Sequence, residues 1–206
     1  MTDLIAEHGG YKNLKSFQTA EIVFDLTAEF CRRYIPAHKQ RDQMEGAARG
    51  GKQNISEASQ TAGTSRQSEL RLTDVARVSL EELLQDYLDF LRTSRLPLWR
   101  KDDPRALQIR RLAYMSNRSY TTYMSYMSDP ESAANCLICL INQANYLLDR
   151  QLKALEKELR EKGDFRERYK EVRKRQILGQ REDFDGFLKT HGLKRLENGQ
   201  VVPLDQ

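Results

Sequence analysis

A glycine-rich run ending in lysine, Gly46-Ala-Ala-Arg-Gly-Gly51-Lys52, has the G-x-x-x-x-G-K spacing of a phosphate-binding loop. That chemistry needs a hydroxyl next in line to hold magnesium, and a buried strand upstream. Gln53 stands where the hydroxyl belongs, and Lys39 to Glu45 is polar and helical in pattern. The run therefore reads as a small-residue helix face. Cys136-Leu-Ile-Cys139 is a C-x-x-C, but structural zinc wants four ligands. The remaining candidates are Cys31 and three scattered histidines. A redox pair would sit at a helix N-terminus, where the dipole lowers the thiol pKa. These cysteines stand among Leu137, Ile138, Leu140 and Ile141 and read as small apolar core residues. Di-iron sites in helical proteins use Glu-x-x-His pairs. The residues three before His8, His38 and His191 are Ile5, Ile35 and Leu188, so that pattern does not occur. No catalytic residue, metal ligand or cofactor is expected.

Basic side chains are the remaining chemistry. Arg166, Arg168, Lys170, Arg173, Lys174 and Arg175 crowd one stretch, interrupted by Glu167 and Glu171. Arg49, Lys52, Arg66, Arg71 and Arg77 frame a second. Such groups neutralise phosphates, each contact adding a salt-dependent increment to affinity. Any one of them is more commonly part of a solvated face. Between residues 114 and 127 a Tyr/Met/Ser segment carries Tyr114, Tyr120, Tyr123, Tyr126, Met115, Met124 and Met127. Its rings offer faces for base stacking, although covering the end of a helical core is the commoner use of such residues.

These groups must be positioned by helices. Five prolines (Pro36, Pro97, Pro104, Pro130, Pro203) cut the 206 residues into pieces of helical length, because proline stops a helix at or before its own position. A first helix is expected over about 14–35, with Phe17, Ala20, Phe24, Thr27, Ala28 and Cys31 at three- and four-residue steps. A second covers about 39–59, its face made of Gly46, Ala47, Ala48, Gly50, Gly51 and Ala58, with Met44 and Ile55 as larger pegs. Glycine costs about 1 kcal/mol against alanine in a helix, so close approach by a neighbour must offset it. The alternative is a break at Gly50-Gly51. Thr64 with Gln67 suggests a capping box opening a third helix over about 66–93. Its wide stripe is Leu72, Val75, Ala76, Ser79, Leu80, Leu83, Tyr87, Leu88 and Leu91.

Residues 97–130 form an irregular insertion, with a short helix from Pro104 to Met115 turning Leu107, Ile109 and Leu112 inward. Asp129 and Pro130 suit the N-cap and N1 positions of a fourth helix over about 131–161. Leu137, Ile141, Ala144, Leu148, Leu152, Leu155 and Leu159 run along it, and Gly163 follows as its C′ residue. Beyond it, residues 163–206 should hold a charged helix near Phe165–Leu178, a short helix near Asp183–His191, and a hairpin turning at Asn198-Gly199.

No apolar run reaches the ~20 residues that span a bilayer. Met1-Thr-Asp-Leu-Ile-Ala-Glu lacks the basic and apolar regions of a signal peptide. Three cysteines, an odd number, fit a reducing compartment, so a cytoplasmic protein is expected. Basic and acidic residues nearly balance, 34 against 30, and regionally 8 against 8, 11 against 9, and 15 against 13 over 1–60, 61–130 and 131–206. That balance permits nucleic-acid binding without demanding it.

Tyr11-Lys-Asn-Leu14, Asn54-Ile-Ser-Glu-Ala58, and Glu69 followed by Leu72-Thr-Asp-Val-Ala-Arg-Val-Ser-Leu-Glu-Glu82 carry a family likeness. The chain resembles the bacterial four-helix bundle proteins. They include proteins encoded in 23S rRNA intervening sequences and the accessory protein of diversity-generating retroelements. Ala134-Asn-Cys-Leu-Ile-Cys-Leu-Ile-Asn-Gln-Ala-Asn-Tyr-Leu-Leu-Asp149 resembles the subgroup with a C-terminal suffix region. The likeness is closest over residues 11–160. Where the family usually has Asn-Ile-Ala-Glu-Gly, this chain has Asn-Ile-Ser-Glu-Ala, and its connection across 97–130 is expanded.

The resemblance implies an all-α, antiparallel up-down four-helix bundle over residues 1–162 with a suffix over 163–206. It also implies a ring-like homo-oligomer, with a pentamer as the candidate size, and basic surfaces that engage RNA or DNA, or a nucleoprotein such as a reverse transcriptase complex. A non-enzymatic adaptor is expected. The other function to weigh is a protein-interaction scaffold that uses the suffix and the Tyr/Met insertion.

Overall fold

The structure is a computed structural model that describes residues 8–204. The signal-peptide reading of residues 1–7 lies outside the described residues. The chain is mostly helical: six α-helices, two 3-10 segments and one two-stranded hairpin among the described residues. It divides into two compact units, residues 8–162 and 163–204 of the described chain.

The first unit opens with a 3-10 turn, Tyr11–Asn13, and helix α1, Lys15–Tyr34. Ile35 ends α1 in an extended conformation ahead of Pro36. Its buried face is wider than one stripe. Ile22, Val23, Leu26 and Phe30 are buried beside Phe17, Ala20, Thr27 and Cys31, whereas Ala28 is exposed and Phe24 half-buried. Helix α2, His38–Thr61, is continuous through Gly50-Gly51. A Cβ on Gly51 would lie 2.6 Å from Leu80 Cδ2, and one on Gly50 would lie 3.2 Å from Ser79 Oγ. The small face therefore exists for close approach by the next helix. Gly46 does not share in it, having open space where a Cβ would be.

Helix α3, Arg66–Thr93, is capped by Ser65, whose Oγ accepts from the Ser68 N–H at 3.1 Å. The cap thus falls one residue after Thr64, and the expected Thr64–Gln67 box is not the one used. Ser65 is the residue in extended conformation, as an N-cap must be. Leu80, Leu83, Leu84, Tyr87 and Leu91 are buried, while Val75 faces solvent. The helix stops before Leu96-Pro97. Arg95 takes a left-handed φ of 57°, and the Leu96 N–H reaches back to the Leu91 carbonyl at 2.9 Å.

Helix α4, Pro104–Leu112, is capped by Asp103 and buries Ala106 and Ile109; Leu107 is exposed and Leu112 half-buried. A 3-10 helix, Tyr120–Ser128, follows and buries Tyr123 and Met127. Helix α5, Pro130–Lys162, begins with the Asp129 carboxylate accepting the Ser132 N–H at 2.8 Å. Every residue from Ala133 to Ile141 is buried. Helix α1 packs against α2 and α5, α3 packs against the same two, and α4 and the 3-10 helix cover α5. Being enclosed on all sides explains why this stretch has no polar face. At its centre the Tyr87 hydroxyl donates to Thr27 Oγ1 at 2.9 Å, and Phe30 meets Tyr87 and Phe90 edge-on at 5.0 and 4.9 Å.

One hub ties the insertion down. The Asn135 side chain accepts from the Trp99 backbone N–H at 2.8 Å and donates to the Pro97 carbonyl at 3.0 Å. The Trp99 indole N–H donates to Glu131 at 2.7 Å, and Arg105 stacks 4.1 Å over the indole while pairing with Glu131 and Asp103.

In the second unit a single helix, α6 (Phe165–Thr190), replaces the two shorter helices expected there. Gly179 and Gly186 have open surroundings and interrupt nothing. Their cost of about 1 kcal/mol each is too small to break a helix that nothing else terminates. Strands β1, Leu193–Arg195, and β2, Val201–Pro203, pair antiparallel around a turn with Gly199 at φ +86°. Among the described apolar residues of this unit only Leu188 is buried.

Candidate nucleic-acid interface

An arginine can bind phosphate in proportion to the charge its own protein leaves uncompensated. On α3, Arg66 pairs with Glu69 at 2.5 Å and reaches Glu158 of α5 at 3.4 Å. Burial raises the Glu69 carboxyl above its ordinary range, and the Arg66 hydrogen bond draws it part of the way back. Arg77 lies 3.4 Å from Asp74 and 3.6 Å from Asp149. Arg71 and Arg77 share a groove of about 670 Å³ between α3 and α5, with Lys153 as third cation and Asp74, Asp149 and Glu156 as matching anions. Such a groove is charge-balanced and offers phosphate little net field. On α2, Lys52 Nζ sits 4.0 Å over the Phe24 ring, and Arg49 is exposed. The cations framing the second and third helices are thus spread over different faces.

The α6 cluster differs. Arg166, Lys170, Arg173, Lys174 and Arg175 are exposed, Arg168 is half-buried, and none has a carboxylate within ion-pair distance among the described residues. Arg166, Lys170, Arg173 and Lys174 recur at helical spacing and share one face, while Glu167 and Glu171 fall beside it.

A third set was not singled out by sequence spacing. From Pro104 to Ser128 there is no Asp or Glu, yet the segment holds Arg105, Arg110, Arg111 and Arg118. Arg105 is neutralised by Asp103 and Glu131. Arg110 donates to the Lys101 carbonyl at 2.9 Å and Arg118 to Thr19 Oγ1 at 2.5 Å, both neutral oxygens. Arg111 is exposed. Tyr114 (91% exposed), Met115 and Tyr120 project from the same segment. The missing carboxylates were the available signal, hidden by regional charge sums that mix this stretch with acidic α3.

The G-x-x-x-x-G-K run lies inside α2, where helical bonds occupy the N–H groups that would cradle phosphate. Burial pushes the Cys31 thiol up to about 12 and raises Cys136 and Cys139 as well. His38 pairs with Asp42 at 2.9 Å on the surface, and His191 bonds the Phe187 carbonyl. Among the described residues no group of three His, Cys, Asp or Glu side chains is placed to hold a metal ion, and no helix is long and apolar enough to cross a membrane. No protein-family profile, curated protein or solved structure matches the chain.

Proposed function

We propose that the chain is a non-enzymatic adaptor that binds RNA or another nucleic acid through basic surfaces. In this reading α1, α2, α3 and α5 make an antiparallel up-down four-helix bundle, expanded between α3 and α5 and extended by α6 and its hairpin. The observation that carries the proposal is the face of Arg166, Lys170, Arg173 and Lys174, cationic and unpaired among the described residues. The resemblance to bacterial four-helix bundle proteins supports it. That resemblance adds a cytoplasmic ring-like homo-oligomer, with a pentamer as candidate size, and a nucleoprotein such as a reverse transcriptase complex as a partner class.

Fluorescence anisotropy with a labelled RNA hairpin tests this directly. Affinity should fall by decades between about 50 and 200 mM salt if several phosphates are engaged. Changing Arg166, Lys170 and Arg173 together to Glu should flatten that dependence. Absence of binding at low salt overturns the proposal.

A protein-interaction scaffold is the second reading, favoured by one observation. Tyr169, Ile177, Leu178, Phe184, Phe187, Leu196, Val201 and Leu204 of the second unit are all exposed, an apolar inventory typical of partner surfaces. Deleting residues 163–206 should then abolish capture of a protein partner while the first unit stays folded. Capture that survives the deletion removes this reading.

A further inference from the structure

We propose that residues 104–128 form a binding site for single-stranded nucleic acid, with bases stacking on Tyr114 and Tyr120 and a phosphate on Arg111. The inference rests on the nucleic-acid reading above but assigns a site in the first unit, apart from α6, together with the form of the ligand.

Three observations converge. First, the Tyr/Met segment is divided in use: Tyr123 and Met127 are fully buried and hold the 3-10 helix down, whereas Tyr114 and Tyr120 stand 91% and 44% exposed. Rings exposed in this way are accessible for stacking against a base. Second, the segment lacks any carboxylate over 25 residues. Arg110 and Arg118 are held by neutral oxygens, so their charge is fixed in place and left uncompensated. Third, the spacing suits a strand. The Tyr114 N–H bonds the Arg111 carbonyl at 3.1 Å, placing the ring one turn beyond the free guanidinium. Tyr120 lies six residues on, at most about 20 Å of chain away. Cationic ground interleaved with exposed rings binds single strands with little sequence preference, since every base has a π-face. A duplex hides those faces, so it should bind less well here.

The test uses the full chain and labelled twelve-nucleotide oligo-U and oligo-dT, with a duplex of equal length for comparison. Both single strands should bind at low salt, and more tightly than the duplex; their ratio tells RNA from DNA preference. Tyr114→Ala and Tyr120→Ala should each weaken binding by about 5- to 100-fold, while Tyr114→Phe keeps it. Arg111→Gln should lower the salt slope by about 0.7. Circular dichroism verifies the fold of each variant. If the alanine variants bind the oligomers unchanged, the site is overturned, while RNA-hairpin binding through α6 can still stand. If a twelve-residue poly-Glu peptide competes as well as unlabelled oligonucleotide, the surface reads charge alone and the stacking proposal falls. If no nucleic acid binds at all, both proposals fall together.

Discussion

The two units of this chain spend their apolar residues in opposite ways. In residues 8–162, 34 apolar residues are buried; in residues 163–204 only Leu188 is. The first unit is held by side chains that interlock across helices. The second is held mostly by the local hydrogen bonds of α6 and a short hairpin, with the Arg195–Asp185 pair at 3.0 Å joining β1 to the helix. Charge follows the same division. Between α3 and α5, Arg66 and Arg77 have carboxylate partners, whereas the cations from Arg166 to Arg175 on α6 have none within ion-pair distance among the described residues. Residues 104–128 are the exception within the first unit, since Arg110 and Arg118 donate to uncharged oxygens there.

Truncating one aromatic in each unit should break this comparison most visibly. Phe30→Ala should destabilise the first unit by about 3–5 kcal/mol in urea unfolding followed by Trp99 fluorescence. Phe187→Ala, at an exposed ring, should leave that transition within about 0.5 kcal/mol. Equal losses would mean that the second unit's surface residues carry stability after all.

The insertion hub comes next in size. Asn135→Ala leaves the Trp99 N–H and the Pro97 carbonyl without their partner, at about 1–3 kcal/mol for each buried group. Trp99 is the only tryptophan, so its emission should shift to the red as residues 97–130 loosen. An unchanged spectrum and midpoint would show that the insertion is anchored elsewhere.

One substitution should change sign between the units. Gly51→Ala drives a methyl into Leu80 and should destabilise by about 1 kcal/mol, because overpacking outweighs the propensity gain. Gly179→Ala meets open space and should stabilise α6 by about 0.5–1 kcal/mol. Thermal melts for the first variant and helicity by circular dichroism for the second measure both.

The smallest effect is a pH contrast within the first unit. Hydrogen bonding to Arg32 lowers the Glu29 pKa below 4.5, and burial raises that of Glu69 above it. Stability from Glu29 is present above pH 4.5 and lost as pH falls through its lowered pKa; that from Glu69 is complete below pH 4.5 and lost as pH rises through its raised pKa. On acidification from pH 6 the advantage of the native protein over Glu29→Gln should shrink. Its advantage over Glu69→Gln should grow. Carboxyl NMR titration should place the two midpoints on opposite sides of 4.5, and coincident midpoints would remove the contrast.

Most helix boundaries were legible in local residue patterns alone. Pro36, Asp103-Pro104, Asp129-Pro130 and Gly163 act within a turn of their own positions, and a three-to-four-residue apolar period needs no knowledge of the neighbour. The same locality misplaced the cap at Thr64, where two hydroxyl residues compete, and divided the stretch that forms the single helix α6 into two shorter helices. It also placed Ala28 and Val75 on buried faces, because periodicity does not reveal where a neighbouring helix ends. Tertiary structure decided which cations keep their charge. Arg66 meets Glu158 across 92 residues and Arg77 on α3 meets Asp149 on α5, whereas Arg110 and Arg118 donate to uncharged oxygens. Ion pairing depends on a separation of a few ångströms between side chains far apart in the chain, a distance set only once the helices have packed.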